Sequence, residues 1–407
     1  MTTGSPSIAV TGLGMITPAG DGCPATWAGV RAGVSTAATD TQLKGMPVDF
    51  SCRVPDSADP APRIGRKSWR MPRFAQLAVV AAREAVADAG LDPATWDGAR
   101  VAVVIGSGLA GVSHLEEQTL RLHQAGPERV SAMLVPQLIS NMAAGEVSLD
   151  LGARGPSLAT ETACASGATA IAVARDLLRS GTCDIAIAGG TDTAVTPVIT
   201  TGFHQLGALS RRVDEPSAAS RPFAADRDGF VIAEGAAVLV LERAEDAQAR
   251  GRRGHAVLGG TGMTSDAFHP TAPDPDGRGA EAALRAALAD AGLTASDVDH
   301  VNAHGTSTPK NDAAEASVIE RVLPHGPSVT SAKGVLGHTL GAAGAIEAAL
   351  TVLSIRDGVA PPIANLVAPE FGIDCVTGAE RPQRIQAAAS HSFGFGGHNV
   401  VLVFHAI

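Results

Sequence analysis

Short apolar runs that stop at glycine recur along the chain. Residues 8–11 precede Gly12-Leu13-Gly14, residues 101–105 precede Gly106-Ser107-Gly108, and residues 185–188 precede Gly189-Gly190. Runs of this length without polar alternation predict strands buried on both faces, as in sheets covered by helices. Between them, apolar residues return at helical spacing over 74–89 and 168–179, so strand and helix alternate as in an α/β protein. The later part repeats the plan, with strands predicted at 256–258, 298–301 and 400–404 and helices at 280–291 and 341–355. Two halves of similar order, meeting in the charged stretch 242–253, predict a duplicated body of residues 1–250 and 251–407. Residues 35–65, rich in Pro, Asp, Ser and Thr, predict an irregular surface insertion.

At 407 residues the chain exceeds what one core usually organises. Apolar residues make up 45% and charged ones 18%, which fits a globular protein with much buried structure. A net charge of −10 argues against broad nucleic-acid binding, which needs a basic face to displace counterions, so any basic patch must be local. Five scattered cysteines, with no C-x-x-C pair, indicate neither a disulfide framework nor a zinc ribbon, and a reducing cytoplasm is expected. The N-terminal segment lacks the basic and apolar regions of a secretion signal, and no apolar run is long enough for a bilayer, so a soluble protein is expected.

Four segments carry chemistry. Cys164, in Ala163-Cys164-Ala165-Ser166-Gly167, opens a predicted helix; there the helix dipole favours thiolate, although a buried structural cysteine is the alternative. His304 lies in a loop of small and hydroxyl residues past a predicted strand, where catalytic groups are often displayed. His338 sits at another glycine-rich entry to a helix, within Lys333-Gly334-Val335-Leu336-Gly337-His338. In Ser392-Phe393-Gly394-Phe395-Gly396-Gly397, three glycines free the backbone to aim N–H groups at a ligand.

Together these segments resemble the β-ketoacyl-acyl-carrier-protein synthases, most closely the type II elongating enzyme of fatty acid synthesis. The likeness runs nearly end to end and includes Asn141-Met142-Ala143-Ala144-Gly145, Arg154-Gly155-Pro156-Ser157, Ser220-Arg221-Pro222-Phe223, Arg227-Asp228-Gly229-Phe230 and Thr264-Ser265-Asp266. It implies a thiolase-like fold, a duplicated αβαβα body of five layers. It further implies a homodimer, or a dimer with an inactive sister subunit, that works with an acyl carrier protein and needs neither metal nor organic cofactor, its substrates arriving on phosphopantetheine. Cys164 is then the nucleophile, His304 and His338 the catalytic histidines, and Lys333 their support. The N–H groups of Cys164 and Phe395 form an oxyanion hole, and Thr306 and Thr308 contact phosphopantetheine. Leu109, Met133, Leu134, Phe203, Phe230 and Phe395 line the acyl pocket. An acidic carrier needs a basic landing site, for which Arg66, Lys67, Arg70, Arg73, Arg211 and Arg212 are the candidates.

Rival readings are weaker. Gly106-Ser107-Gly108-Leu109-Ala110-Gly111 matches a dinucleotide fingerprint, but no acidic residue ends a second strand about 20 positions on. A zinc site from Cys164, His304 and His338 lacks any short-spaced ligand pair. A thiolase would carry a second cysteine in the last glycine-rich loop, a priming synthase an asparagine in place of His338, and a non-catalytic chain-length factor would lack Cys164. Ala132-Met133-Leu134 replaces the adjacent aromatics of the fatty acid enzyme, Pro72 replaces an aspartate, and tyrosine is absent. Elongation of fatty acids and a dedicated natural-product ketosynthase that cyclises its substrate therefore both stand.

Overall fold

The computed structural model describes residues 6–407; residues 1–5, part of the segment read for a secretion signal, lie outside the described residues. In the first half, β1 (Ile8–Thr17), β2 (Val101–Gly106), β3 (Ser157–Thr160), β4 (Ile185–Asp192) and β5 (Gly235–Arg243) lie in the order β3-β2-β4-β5-β1. β3, β2 and β4 run parallel, and the β4–β5 and β5–β1 pairs are antiparallel. The second half repeats order and direction: β6 (Ala256–Ser265), β7 (His300–Asn302), β8 (Ser328–Thr330), β9 (Ala387–Gly394) and β10 (His398–His405) lie as β8-β7-β9-β10-β6. The halves join where residues 8–10 of β1 pair with residues 256–258 of β6.

Helices complete the layers. α1 (Arg73–Asp88) and α2 (Met142–Leu151) cover one outer face, while α4 (Arg278–Ala291) and α5 (Pro309–Val322) cover the other. Between the sheets lie α3 (Ser166–Arg179) and α6 (Ala343–Asp357), and residues 343–355 of α6 are buried all round, as a helix sandwiched between two apolar sheet faces must be. This is the expected α/β body of five layers. Where α3 and α6 cross, a Cβ on Gly167 would stand 2.8 Å from the Ala345 nitrogen, and one on Gly344 would stand 2.9 Å from the Ala168 nitrogen. Glycine at both positions lets the two backbones touch, which brings the start of α3 beside the loop that leads into α6.

Residues 35–65 are not the surface insertion expected. Leu43, Val48, Phe50 and Cys52 are buried against Phe230 and Ile232, and Cys52 exchanges backbone hydrogen bonds with Ile232 and Glu234. The turn-forming composition sets the irregular path, and scattered apolar residues anchor it. Strand β3, at the end of the sheet, is mostly exposed, and Leu158 on it, Leu149 on α2 and the neighbouring Val135 and Ile139 form an apolar exposed side. Among the described residues no helix is long and apolar enough to cross a membrane.

Candidate active site

Cys164 occupies a single 3-10 turn, Ala163–Ala165, between β3 and α3, one step before the long helix rather than within it. Ala163 has a left-handed backbone, φ 51°, a conformation that costs energy for a residue with a side chain. Ser166 holds this turn by donating to the Ala163 carbonyl at 2.7 Å and accepting from the Thr162 N–H at 2.9 Å. The Gly394 backbone lies so close that a Cβ there would be 2.3 Å from the Thr162 carbonyl. The next residue, Phe395, brings its backbone N–H near enough to the cysteine sulfur to favour the thiolate.

His338 is stitched in by its backbone: its N–H donates to Val231 at 2.7 Å and its carbonyl accepts from Ala233 at 3.0 Å. Its Nε2 stands 3.1 Å from Cys164 Sγ, and the Phe230 ring packs edge-on at 5.1 Å. His304 follows β7. Its loop is held by Glu315 of α5, whose two carboxylate oxygens accept the N–H groups of His304 and Gly305, each at 2.8 Å, while His391 Nδ1 lies 3.1 Å from the same carboxylate. The His304 and His338 rings sit 5.5 Å apart, nearly perpendicular.

Lys333 sets the state of His304. Its ammonium donates to the His304 carbonyl at 2.6 Å, lies 3.3 Å from His304 Nδ1, and pairs with Glu347 of α6. An ammonium has no lone pair, so Nδ1 must be the acceptor and Nε2 keeps the proton. Burial first, then the Lys333 charge, holds the pKa of both histidines well below the ordinary value, leaving two neutral rings at neutral pH. The cysteine departs from the expectation of a ready thiolate: burial pushes its thiol up to about 12, outweighing the opposing pull of Lys333 and the Phe395 N–H.

These groups share a cavity of about 530 Å³ with Phe203, Phe230, Phe393, Phe395, Thr306 and Thr308 along its wall. Leu109, Met133 and Leu134, expected on the acyl pocket, do not line it. Leu109 packs behind Phe203 and Phe230, and Met133 and Leu134 sit half-buried at the start of the short helix Leu134–Leu138. The loop with the dinucleotide-like pattern serves another purpose: Asp192 accepts the N–H groups of Gly108 at 2.9 Å, Leu109 at 3.2 Å and Gly341 at 3.1 Å. Its backbone donors are thus spent on a protein carboxylate, which burial pushes up to about 6.

The basic candidates divide. Arg66, Lys67 and Arg211 are exposed and pair with no carboxylate among the described residues. Arg70 pairs with Glu146 and Arg212 with Asp226. Arg73 is not a free cation, because its Nε and Nη2 clamp the buried Glu234, at 2.9 and 2.8 Å. Glu315, Glu347 and Asp192 leave no trace in the sequence, since an isolated acidic residue inside a helix or at the end of a strand carries no local signal. Trp69, exposed among Arg66, Lys67 and Arg70, carries none either.

The description "Beta-ketoacyl synthase, N-terminal domain" matches residues 5–247, and "Beta-ketoacyl synthase, C-terminal domain" matches residues 255–367. The chain is 43% identical to 3-oxoacyl-[acyl-carrier-protein] synthase 2 of Synechocystis sp. and 42% identical to the Staphylococcus aureus protein of that name, in each case over 98% of this chain and 97% of the relative. Among solved structures, a type II PKS ketosynthase in complex with its acyl-carrier protein superposes with a TM-score of 0.92 at 31% identity, covering 99% of this chain and all of the other. A β-ketoacyl synthase from Burkholderia phymatum superposes with a TM-score of 0.91 at 32% identity over the same shares. On the architecture, the cysteine and histidines at one cavity, and this end-to-end likeness, the chain belongs to the β-ketoacyl synthase family.

Proposed function

We propose that the chain transfers an acyl group from an acyl carrier protein to Cys164 and joins it to a carrier-bound malonyl unit. The first half supplies the nucleophile and the second half the histidines. In the first step Cys164 Sγ attacks the acyl thioester carbon. The cysteine S–H proton passes to the departing carrier thiolate, so an acyl-cysteine and a free carrier thiol result. Because the thiol is held so high, its proton must leave as the C–S bond forms, with His338 Nε2 beside it. The N–H groups of Cys164 and Phe395 donate hydrogen bonds to the carbonyl oxygen as its negative charge develops.

In the second step the malonyl carboxylate leaves as CO₂ and its electron pair moves into the thioester as an enolate. The enolate carbon attacks the acyl-cysteine carbonyl, and the cysteine leaves as a thiolate that regains a proton. The Nε2–H of His304 and the His338 ring, neutral and close together, stabilise the enolate oxygen. Neutrality matters here, since a charged imidazolium beside Lys333 would be costly. The observation that carries this reading is the meeting of Cys164 and His338 at 3.1 Å, next to a His304 whose tautomer Lys333 sets.

Thr306 and Thr308, hydrogen-bonded to each other at 2.8 Å on the cavity wall, contact the phosphopantetheine arm. Arg66, Lys67 and Arg211, with Arg70 and Arg212 at lesser strength, receive the acidic carrier. The exposed edge of β3 and its apolar surroundings support pairing with a second copy. Because a solved structure it resembles is a type II PKS ketosynthase bound to a hexaketide, condensation on a polyketide chain by the same three groups is the second reading. Incubation with an acyl carrier thioester followed by intact-protein mass spectrometry tests the assignment: the wild type gains the acyl mass and Cys164→Ala does not. A stable adduct on Cys164→Ala would refute it.

A further inference from the structure

Two residues on the cavity wall carry formal charges, and they differ in what is left of them. Asp266 is spent within the fold: Oδ1 accepts from Asn399 Nδ2 at 2.7 Å and Oδ2 from the Asp274 N–H at 3.1 Å. Lys310, the second residue of α5, also lines the cavity but is exposed and has no ionic partner among the described residues. His304 and His338 are buried and Cys164 is half-buried, whereas Lys310 on the same cavity is exposed, which places it on the solvent-facing rim. On that rim His269 Nδ1 accepts the N–H groups of Thr271 at 3.1 Å and Ala272 at 3.0 Å, which leaves its proton on Nε2 as a second donor.

We propose that Lys310 binds the phosphate of the incoming phosphopantetheine arm and so sets a preference for phosphorylated thioesters over bare ones. The inference rests on the carrier-thioester reading above. With the thioester at Cys164, the arm is uncharged along its length until the phosphodiester at its far end, so its one anion falls at the outer rim, where a free cation stands. A lysine serves this role as a point charge, without the planar fork that arginine would bring. A carboxylate at the end of the acyl chain is the other anion that could meet Lys310, and small substrates tell the two apart.

The test compares acylation of Cys164 by acyl-phosphopantetheine and by acyl-pantetheine with the same straight, uncharged acyl group. In Lys310→Ala the ratio of the two kcat/KM values falls by about threefold to fivefold, the range an exposed charge pair supplies. Lys310→Arg restores most of it, Lys310→Glu lowers it further, and the wild-type ratio shrinks as salt rises. An unchanged ratio in Lys310→Ala overturns the inference, including the case where both substrates slow equally. A loss seen only with acyl groups ending in a carboxylate overturns it in favour of the acyl-chain anion. If wild-type enzyme acylates with neither thioester, the carrier-thioester reading itself has failed.

Discussion

At the scale of single residues, Cys164 shows how burial overrides a local signal. Its position before a helix predicts a favoured thiolate, yet the site is dry enough that desolvation outweighs Lys333 and the backbone dipoles, and the thiol is pushed up to about 12. Reaction with iodoacetamide should therefore climb about tenfold per pH unit from pH 7 to 10, where an ordinary cysteine levels off near about 8.5. A plateau below pH 8 would mean that the thiolate is stabilised after all. Cys164, His304 and His338 were legible because each lies in a glycine-rich segment with its own pattern. Glu315, Glu347 and Asp192 were not, because each meets its partner only through the fold: Glu347 of one helix reaches Lys333, Glu315 of another holds the His304 loop, and Asp192 ties Gly108 to the distant Gly341.

At the scale of elements, apolar runs and helical spacing located the strands and helices because the sheets and the central pair α3 and α6 are buried. The ends moved. β1 runs to Thr17 and β6 to Ser265, beyond their apolar cores, since ladder partners rather than hydrophobicity carry them on. In segment 35–65 the buried anchors Leu43, Val48, Phe50 and Cys52 are spaced too irregularly to show a period, so composition alone points to the surface. The crossing of α3 and α6 gives a sharp test. Gly344→Ala drives a methyl group against the Ala168 nitrogen and should destabilise the protein by about 1–3 kcal/mol, despite alanine's better helix propensity. Gly202, in the helix Pro197–Gln205, has nothing within 4 Å of a new Cβ, so Gly202→Ala should gain up to about 1 kcal/mol. Denaturant melts of the two variants check the opposed signs; a neutral Gly344→Ala would show that the helices do not rely on this close approach.

At the scale of the whole molecule, the two halves repeat one strand order, and their junction sets the cysteine of one beside the histidines of the other. Alternation of strand and helix disclosed that duplication, but not the pairing of β1 with β6 that joins the sheets, because register between distant strands leaves no local trace. Charge follows the same logic: a chain of net charge −10 still presents Arg66, Lys67 and Arg211 with no carboxylate partner among the described residues, while Arg73, which reads alike in sequence, is consumed by Glu234. That this assembly forms a carbon–carbon bond can be checked by loading Cys164 with a straight medium-chain acyl group, adding malonyl carrier protein labelled in its free carboxylate, and following labelled CO₂ together with the mass of the carrier product. Release of label in step with a 3-oxoacyl chain two carbons longer, lost in Cys164→Ala, is the predicted result. An acylated Cys164 that neither discharges nor extends in the presence of the malonyl carrier would contradict it.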